Sequence, residues 1–265
     1  MKIGIYTRKK SLKTDSSFLS MIETLKSRGV ETYDASDGLA PGTDMLLSAG
    51  GDGTFLMAAN YAVESGIPVL GVNFGRLGFL SEYRPEEVLS ALESGEYSIE
   101  EREVLQTELN GKEEFALNEV SIHRNGPAML GIDVSLDGVM LPTYWADGLL
   151  VATGSGSTAY SLSAGGPIVT PDSKVLVLTP IAPHNLNVRP LVIPSSSKLE
   201  ISVKSGDRDV MMAVDNRSAV ISRKAVIPVS VAQFSLKRVR LNGSSFIKAL
   251  RSKLYWGEDI RNEIH

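Results

Sequence analysis

Residues 45–56 have the sequence MLLSAGGDGTFL, in which an apolar run ends at three glycines that surround one carboxylate. Residues 45–47 predict a buried strand, and the apolar residues of segment 55–63 recur at helical spacing. Asp52 therefore lies on a predicted strand-to-helix turn. Glycines let backbone N–H groups approach an anion closely, and a helix N-terminus adds partial positive charge, so this turn suits a phosphate.

Two interpretations of Asp52 are open at this point. The carboxylate can be the N-cap of the helix that is predicted to start near Thr54, whatever the protein does. Alternatively, it is a functional group beside a bound phosphate. Three glycines in four positions favour function, because a cap needs only one short polar residue, whereas glycines cost conformational entropy.

The composition is that of an ordinary globular protein. The chain has 265 residues, of which 43% are hydrophobic and 22% are charged, and its formal net charge is −4. The basic residues are scattered, so no electrostatic footprint for nucleic acid or for an anionic membrane is present. We therefore expect small-molecule partners and no nucleic acid or membrane.

The absence of cysteine excludes disulfides, thiolate zinc sites and cysteine nucleophiles, and it is typical of a reducing compartment. The N-terminal residues 1–6 predict a short strand and not the apolar core of a signal peptide. No apolar stretch approaches the roughly 20 residues of a membrane span. We expect a cytoplasmic protein.

The first part of the chain, residues 1–97, alternates strands and helices. Strands are predicted at 3–7, 45–48 and 69–72, and helices are predicted after Asp15 or Ser16, after the Asp52 turn and from Pro85. This pattern predicts a Rossmann-like, doubly wound α/β domain.

Residues 98–243 change to short segments with two-residue alternation, separated by turns such as Asp137-Gly138, Ser205-Gly206-Asp207 and Asp215-Asn216. Strands are predicted at 132–136, 149–152, 199–203, 210–214, 219–221 and 226–231. We predict an antiparallel β-sandwich that binds the ligand. Segment 244–265 returns to helical spacing over residues 245–260 and is expected to pack back on the first domain.

Two further motifs each allow two interpretations. Residues 154–163, GSGSTAYSLS, formally match G-x-G-x-x-G/A, but the βαβ unit that this fingerprint needs is not predicted here. We interpret the run as a hydroxyl-rich turn for a polar ligand, the alternative being a structural Ser/Gly turn with a core Tyr160. Asn118 and Glu119 lie in a strand-like segment, so one of them must face inward; the alternative is a solvated strand end.

Other catalytic motifs are missing from the sequence. The histidines, His123, His184 and His265, are too dispersed for a metal site, and no H-E-x-x-H is present. No Walker A sequence and no G-x-S-x-G elbow occurs. Hydrolase chemistry therefore has no visible support.

Five segments, taken together in their order and spacing, resemble the ATP/polyphosphate NAD kinase family: residues 50–56, 71–80, 118–120, 147–148 and 156–167. Residues 179–184 and the pair Arg189-Pro190 resemble further family segments. The turn GGDG alone also occurs in lipid kinases and phosphofructokinases, whereas the run at 158–167 is specific. The resemblance implies transfer of the γ-phosphoryl group of ATP, or of polyphosphate, to the 2′-hydroxyl of the adenosine ribose of NAD.

By position, the resemblance implies that Asp52 is the general base for that hydroxyl. It also implies a set of residues that bind NAD: Asp52, Gly53, Asn118, Glu119, Asp147, Thr158, Ala159, Tyr160, Ser161, Leu162, Ser163 and Ala182. Asn216 is expected near the new phosphate.

The resemblance further implies a divalent cation, Mg²⁺ by expectation, that is carried on the donor phosphates without a protein metal site. A homodimer or homotetramer built through the β domain is expected, in which Asp147 or Ala182 serves a neighbouring site. The chain departs from the family pattern in three places: Gly154-Ser155 replaces Pro-Thr, Trp145 replaces a basic or polar residue, and Phe74 replaces a small one.

Two rival functions remain. A lipid or sugar kinase could share the GGDG turn, although no basic amphipathic helix marks membrane access. A dinucleotide-binding sensor could use the same loops without catalysis.

Overall fold

The computed structural model describes residues 1–206 and 208–257 and divides the chain into two compact units. Unit 1 comprises Met1–Glu101 together with the chain from Leu236 onward, and unit 2 comprises Arg102–Ser235. Asp207 of one predicted turn and residues 258–260 of the predicted C-terminal helix lie outside the described residues.

The elements follow one another in the order predicted for an α/β half and a β half. Up to residue 94 they are β1 (Lys2–Tyr6), α1 (Ser16–Ser27), β2 (Glu31–Asp34), β3 (Met45–Ala49), α2 (Asp52–Ala62), β4 (Val69–Val72) and α3 (Pro85–Ser94). The next are β5 (Tyr97–Leu109), β6 (Lys112–Ala116), β7 (Glu119–His123), β8 (Leu130–Leu136), β9 (Val139–Met140), β10 (Tyr144–Ala146) and β11 (Gly148–Ala152). The last are α4 (Tyr160–Ser163), β12 (Val175–Ile181), β13 (Leu191–Pro194), β14 (Leu199–Ser205), β15 (Val210–Val214), β16 (Arg217–Ile221), β17 (Val226–Leu241) and α5 (Phe246–Leu254).

Unit 1 is built on a parallel sheet in the order β17-β4-β3-β1-β2. Alternate residues of β3, including Leu47, share one core cluster with residues of α1 and α3. The intervening residues face the other side of the sheet. Phe55 of α2 lies so close to Gly71 of β4 that a Cβ there would meet its ring at 3.0 Å. The predicted α/β architecture is confirmed.

Unit 2 is built from antiparallel strands. Its first sheet runs β10-β8-β14-β17, with β9, β5 and β6 attached, and its second runs β13-β12-β11-β7-β15-β16. Buried residues from both sheets, such as Ile132 of β8 and Leu149 of β11, form one core. The predicted β-sandwich is confirmed.

Local turn signals are also confirmed. Asp137 and Gly138 join β8 to β9 with φ values of 50° and 83°, as a two-residue hairpin turn requires. The Asp15 side chain caps α1 by accepting from the N–H groups of Ser17 and Phe18.

Within the part of the chain that the structure describes, no helix is long and apolar enough to cross a membrane.

Two differences concern the C-terminal part. Strand β17 continues ten residues beyond the predicted end at Val231. The prediction stopped too early because the charged Arg238 interrupts the apolar pattern, although this residue is only 4% exposed in the structure. Helix α5 begins after Ser245, whose hydroxyl accepts from Lys248 N–H, and it ends at Leu254, earlier than predicted, because Tyr255 takes a left-handed φ of 52°. Phe246 of α5 lies 6.5 Å from Phe79, ring centre to ring centre, which confirms that this helix packs on the first unit.

Candidate functional site

In unit 1, Asp52 is the first residue of α2, directly after the glycine turn that follows β3. Gly50 has a φ of 150°, and a Cβ there would meet Thr54 Cβ at 2.9 Å, so the turn requires glycine at this position. The N-cap is Gly51, and none of the side chains that the structure describes caps the helix. The interpretation of Asp52 as the helix cap is therefore wrong.

The Asp52 carboxylate is held by a second segment of unit 1, the loop between β4 and α3. Oδ2 accepts from Phe79 N–H at 2.8 Å, and Oδ1 accepts from Leu80 N–H at 3.0 Å and from Ser81 N–H at 2.8 Å. Hydrogen bonds to an ionised acceptor are stronger than those between neutral groups. The loop therefore orients the carboxylate firmly.

Only glycine fits at position 78 of this loop. A Cβ on Gly78 would overlap the Asp52 carboxylate. Gly53, which follows Asp52 in the first turn of α2, is exposed and has no atom within 4 Å of an added Cβ. The sequence therefore placed Asp52 and Gly53 correctly on the turn, but it did not identify residues 79–81 as the partners of Asp52.

In unit 2, Asn118 and Glu119 stand at the start of β7 and are both buried. The carboxylate of Asp215, at the turn between β15 and β16, accepts the N–H groups of Leu117, Asn118 and Glu119 at 2.8, 2.9 and 3.1 Å. Burial raises the pKa of Asp215, whereas these three hydrogen bonds lower it. The backbone of the pair is thus held by a carboxylate of the β15-β16 turn.

Sequence reasoning missed Asp215 as part of the site. Its only signal was the Asp-Asn turn, and Asp is common in turns whatever its surroundings. Its φ of 51° is typical of such a turn. Asn216, the next residue, is exposed at the same turn.

Asn118 and Glu119 each present an oxygen that bonds no group in the described part of the chain. Asn118 Oδ1 and Glu119 Oε2 are buried and have no hydrogen-bond partner among the described residues. Buried polar atoms in native proteins almost always have a partner. These two oxygens are therefore the best candidates in unit 2 for contacts with a ligand.

The pKa of Glu119 is raised to about 8, mainly by burial and further by the nearby Asp215 carboxylate, while a hydrogen bond from the Tyr160 backbone lowers it. Near neutral pH the Glu119 carboxyl thus holds a proton in the folded protein, whereas in the unfolded chain it has released it. The protonated carboxyl can donate one hydrogen bond as well as accept others.

This titration predicts a pH-dependent stability. Between pH 4.5 and about 8 the folded state binds more protons at Glu119, so stability falls as pH rises through that window. In Glu119→Gln this contribution is absent. As pH rises through the window, the free energy of unfolding of the variant should therefore increase relative to that of the parent protein, by up to about 1.4 kcal/mol per pH unit. Urea denaturation at pH 5, 6.5 and 8 measures this difference. Glu200→Gln, at an exposed position, is the control, and an equal pH slope in all three proteins would contradict the prediction.

The loop at 154–163 packs directly on the Asn118 segment. Thr153 Oγ1 donates to the Leu117 carbonyl at 2.6 Å and accepts from Gly156 N–H at 3.1 Å. A Cβ on Gly156 would overlap the Asn118 carbonyl. The structure thus brings this loop and the Asn118-Glu119 pair together within unit 2.

Within that loop the predicted ligand-binding residues differ in access. Tyr160 is exposed and stacks on His123, with ring centres 5.7 Å apart. Ser161 is fully buried, and its hydroxyl bonds Thr179 Oγ1 at 3.0 Å. The Ser161 side chain therefore shapes the loop. Thr158, Ala159 and Leu162 are half-buried, and Ser163 is exposed.

Asp147 and Ala182 form a second group in unit 2. Asp147 N–H donates to the Ile181 carbonyl at 3.0 Å, and its carboxylate pairs with Arg124 at 3.0 Å. Ala182 has a φ of 45°, a backbone conformation that residues other than glycine rarely adopt. Strand register places Gly148 opposite His123 and Ala152 opposite Glu119, so Asp147, which directly precedes β11, lies about 17 Å along the strand from the position opposite Glu119.

Two family models match the chain. The model of the ATP-NAD kinase N-terminal domain matches residues 5–97, and that of the ATP-NAD kinase C-terminal domain matches residues 117–241. The NAD kinase of Flavobacterium johnsoniae is 39% identical over 264 residues, which cover 94% of this chain and 88% of the relative. The NAD kinase of Christiangramia forsetii is 37% identical over 294 residues, which cover 99% of this chain and all of the relative.

Two solved structures share the fold. The crystal structure of yeast NADH kinase complexed with NADH has a TM-score of 0.86 and 26% identity, covering 98% of this chain and 89% of the yeast chain. An NAD kinase from Archaeoglobus fulgidus in complex with ATP has a TM-score of 0.79 and 26% identity, covering 96% of this chain and 98% of the other.

Proposed function

This chain belongs to the ATP-NAD kinase family, and we propose that Asp52 is its general base and that Asn118 and Glu119 hold NAD. The protein is an NAD kinase, a phosphotransferase that uses ATP to phosphorylate NAD to NADP. The rival functions of a lipid or sugar kinase and of a passive sensor are thereby set aside.

The observation that carries the base assignment is the hydrogen bonding of the Asp52 carboxylate. A carboxylate has about four lone-pair positions, and three N–H groups occupy three of them, two at Oδ1 and one at Oδ2. The remaining position at Oδ2 is the one that we assign to the hydroxyl of the substrate. Asp52 stands at the N-terminus of α2, where the helix carries partial positive charge.

The proposed step transfers one phosphoryl group and one proton. The 2′-hydroxyl of the adenosine ribose gives its proton to Asp52, its oxygen bonds the γ-phosphorus of ATP, and the bond from that phosphorus to the β-γ bridging oxygen breaks. The products are NADP and ADP. Phosphoryl transfer depends mostly on positioning and on neutralising charge, so the fixed orientation of Asp52 is the contribution that the loop makes.

The unpartnered oxygens of unit 2 support the assignment of NAD binding. Asn118 Oδ1 accepts a hydrogen bond from NAD, and the protonated Glu119 carboxyl both accepts and donates one. Tyr160, stacked on His123, offers a ring face to a base of the dinucleotide. The other members of the proposed set remain as the family resemblance implies: Gly53, Asp147, Thr158, Ala159, Ser161, Leu162, Ser163 and Ala182, with Asn216 near the new phosphate.

A divalent cation is also proposed, with Mg²⁺ as the expected ion. Among residues 1–206 and 208–257 no group of three or more His, Asp or Glu side chains could hold a metal. We propose that the cation is carried on the donor phosphates. When bound, it neutralises phosphate charge.

Polyphosphate as an alternative donor and a homodimeric or homotetrameric assembly are further proposals from the family resemblance. In such an assembly Asp147 or Ala182 would serve a neighbouring subunit. A monomer that is stable and active in analytical ultracentrifugation and in assay would contradict this role.

An NAD analogue tests the regiochemistry. The analogue without the 2′-hydroxyl on the adenosine ribose should compete with NAD but give no phosphorylated product when incubated with ATP and Mg²⁺. The matched control lacks instead the 2′-hydroxyl on the nicotinamide ribose and should be phosphorylated. A phosphorylated product from the first analogue would show that another hydroxyl is the acceptor.

A further inference from the structure

Three consecutive peptide groups of unit 1 connect the Asp52 carboxylate to two cationic side chains. Their N–H groups are those of Phe79, Leu80 and Ser81, all of which donate to Asp52. Their carbonyl groups, which belong to Gly78, Phe79 and Leu80, all accept from a cation on the C-terminal part of the chain. Each peptide group is therefore bonded on one side to the carboxylate and on the other to a positive charge.

The cations are Lys253 of α5 and Arg238 of β17. Lys253 Nζ donates to the Gly78 carbonyl. Arg238 Nη2 donates to the carbonyls of Phe79 and Leu80, at 3.3 Å each. No other side-chain donor to these three carbonyls is found in the described part of the chain.

Both cations are themselves fixed by carboxylates. Arg238 pairs with Glu82 at 2.5 Å and with Glu100 at 2.8 Å, and Lys253 lies 3.4 Å from Glu82. The Lys253 side chain is only 12% exposed. Burial lowers the pKa of Lys253, whereas the charges of Glu82 and Asp52 raise it. Interactions between these charges are strong because little water screens them.

A cation on the carbonyl of a peptide group polarises that group and makes its N–H a better donor. It also prevents the peptide plane from rotating, because both of its polar atoms are engaged. Both effects act on the donors that orient Asp52.

We infer that Lys253 and Arg238 are positioning residues for Asp52, which act through the peptide groups of residues 78–81 and make helix α5 necessary for full turnover. This inference rests on the proposed role of Asp52 as general base. A purely structural role is the alternative, in which the two cations stabilise the fold but leave the orientation of Asp52 unaffected.

Lys253→Met tests the inference, because it keeps an unbranched side chain of nearly the same length and removes the charge and the donor. We expect kcat to fall by about 10- to 100-fold, with KM for NAD and for ATP within about twofold of the parent values. Amide hydrogen exchange at residues 79–81 should become faster by about tenfold or more. Lys253→Arg, which keeps the charge and the donors, should restore both quantities.

Lys248→Met is the matched control, since Lys248 lies on the same helix and its Nζ also donates to a backbone carbonyl, that of Gly243 at 2.6 Å. It should leave kcat and the exchange at 79–81 unchanged. If Lys253→Met does not fold, Lys253→Gln takes its place, because glutamine keeps a neutral donor; the loss should then be smaller but of the same kind.

The inference is overturned if Lys253→Met equals Lys248→Met in kcat, or if exchange at 79–81 accelerates while kcat stays at the parent value. It is also overturned if only KM changes. Asp52→Asn, measured alongside, separates the two proposals. If Asp52→Asn keeps full turnover while amide exchange is faster in Lys253→Met, Asp52 is not the base, but the structural link to Lys253 stands. If turnover is lost in Asp52→Asn and not in Lys253→Met, only the role of Lys253 is removed.

Discussion

Replacing Asp52 with asparagine is expected to lower kcat by about 10² to 10⁴, the usual contribution of general-base catalysis. The amide cannot take the proton of the substrate hydroxyl. It also replaces one acceptor oxygen by a donor, so the N–H groups of Phe79, Leu80 and Ser81 lose part of their acceptor. NAD affinity should change little, because the proposed NAD contacts of Asn118 and Glu119 are intact.

The measurement combines a coupled assay of NADP formation at saturating NAD, ATP and Mg²⁺ with isothermal titration of NAD. Asp15→Asn is the matched control in the same unit, since Asp15 caps α1 and asparagine is an equally good cap. A kcat near the parent value in Asp52→Asn would remove Asp52 from the role of base. Loss of NAD binding instead of turnover would make it a binding residue.

The second large effect is expected at Asp215, whose replacement by alanine should lower the free energy of unfolding by about 3 kcal/mol or more. The N–H groups of Leu117, Asn118 and Glu119 would lose their acceptor inside the protein. Alanine is also disfavoured at the φ of 51° that this position requires. Removal of a carboxylate that burial disfavours offsets part of this cost.

Asp137→Ala is the matched control. Asp137 has nearly the same φ, 50°, but it is exposed, and among residues 1–206 and 208–257 only the N–H group of Lys198 donates to its carboxylate, at 2.8 Å. Its replacement should cost about 1–2 kcal/mol, mainly through the backbone conformation. Urea denaturation at pH 6.5 compares the two variants, and equal losses would show that the three inward hydrogen bonds of Asp215 contribute nothing.

Asp215→Ala should also weaken NAD binding, because the backbone of the Asn118-Glu119 pair would no longer be fixed. Titration of NAD into the folded variant measures this. The pKa of Glu119 should fall, since the Asp215 carboxylate is one of the groups that raise it. The pH window in which Glu119 affects stability should therefore become narrower.

Much of the fold could be predicted because its signals are local. Residues 45–56 indicate a strand, a glycine turn and a helix without knowledge of any other segment, and Asp137-Gly138 indicates a hairpin in the same way. The end of β17 could not be predicted. A charged residue such as Arg238 breaks the apolar pattern of a strand, and its burial depends on partners far along the chain, among them the carboxylates of Glu82 and Glu100.

The sequence by itself determined the order of elements, the position of Asp52 on its turn and, through resemblance, the chemistry of the family. The tertiary structure decided what holds these residues: the N–H groups of residues 79–81 for Asp52, and the carboxylate of Asp215 for the segment that carries Asn118 and Glu119. The physical reason is distance along the chain. Hydrogen bonds between segments some 30 to 100 residues apart leave no periodicity, so they exist only once packing has brought their donors and acceptors within about 3 Å.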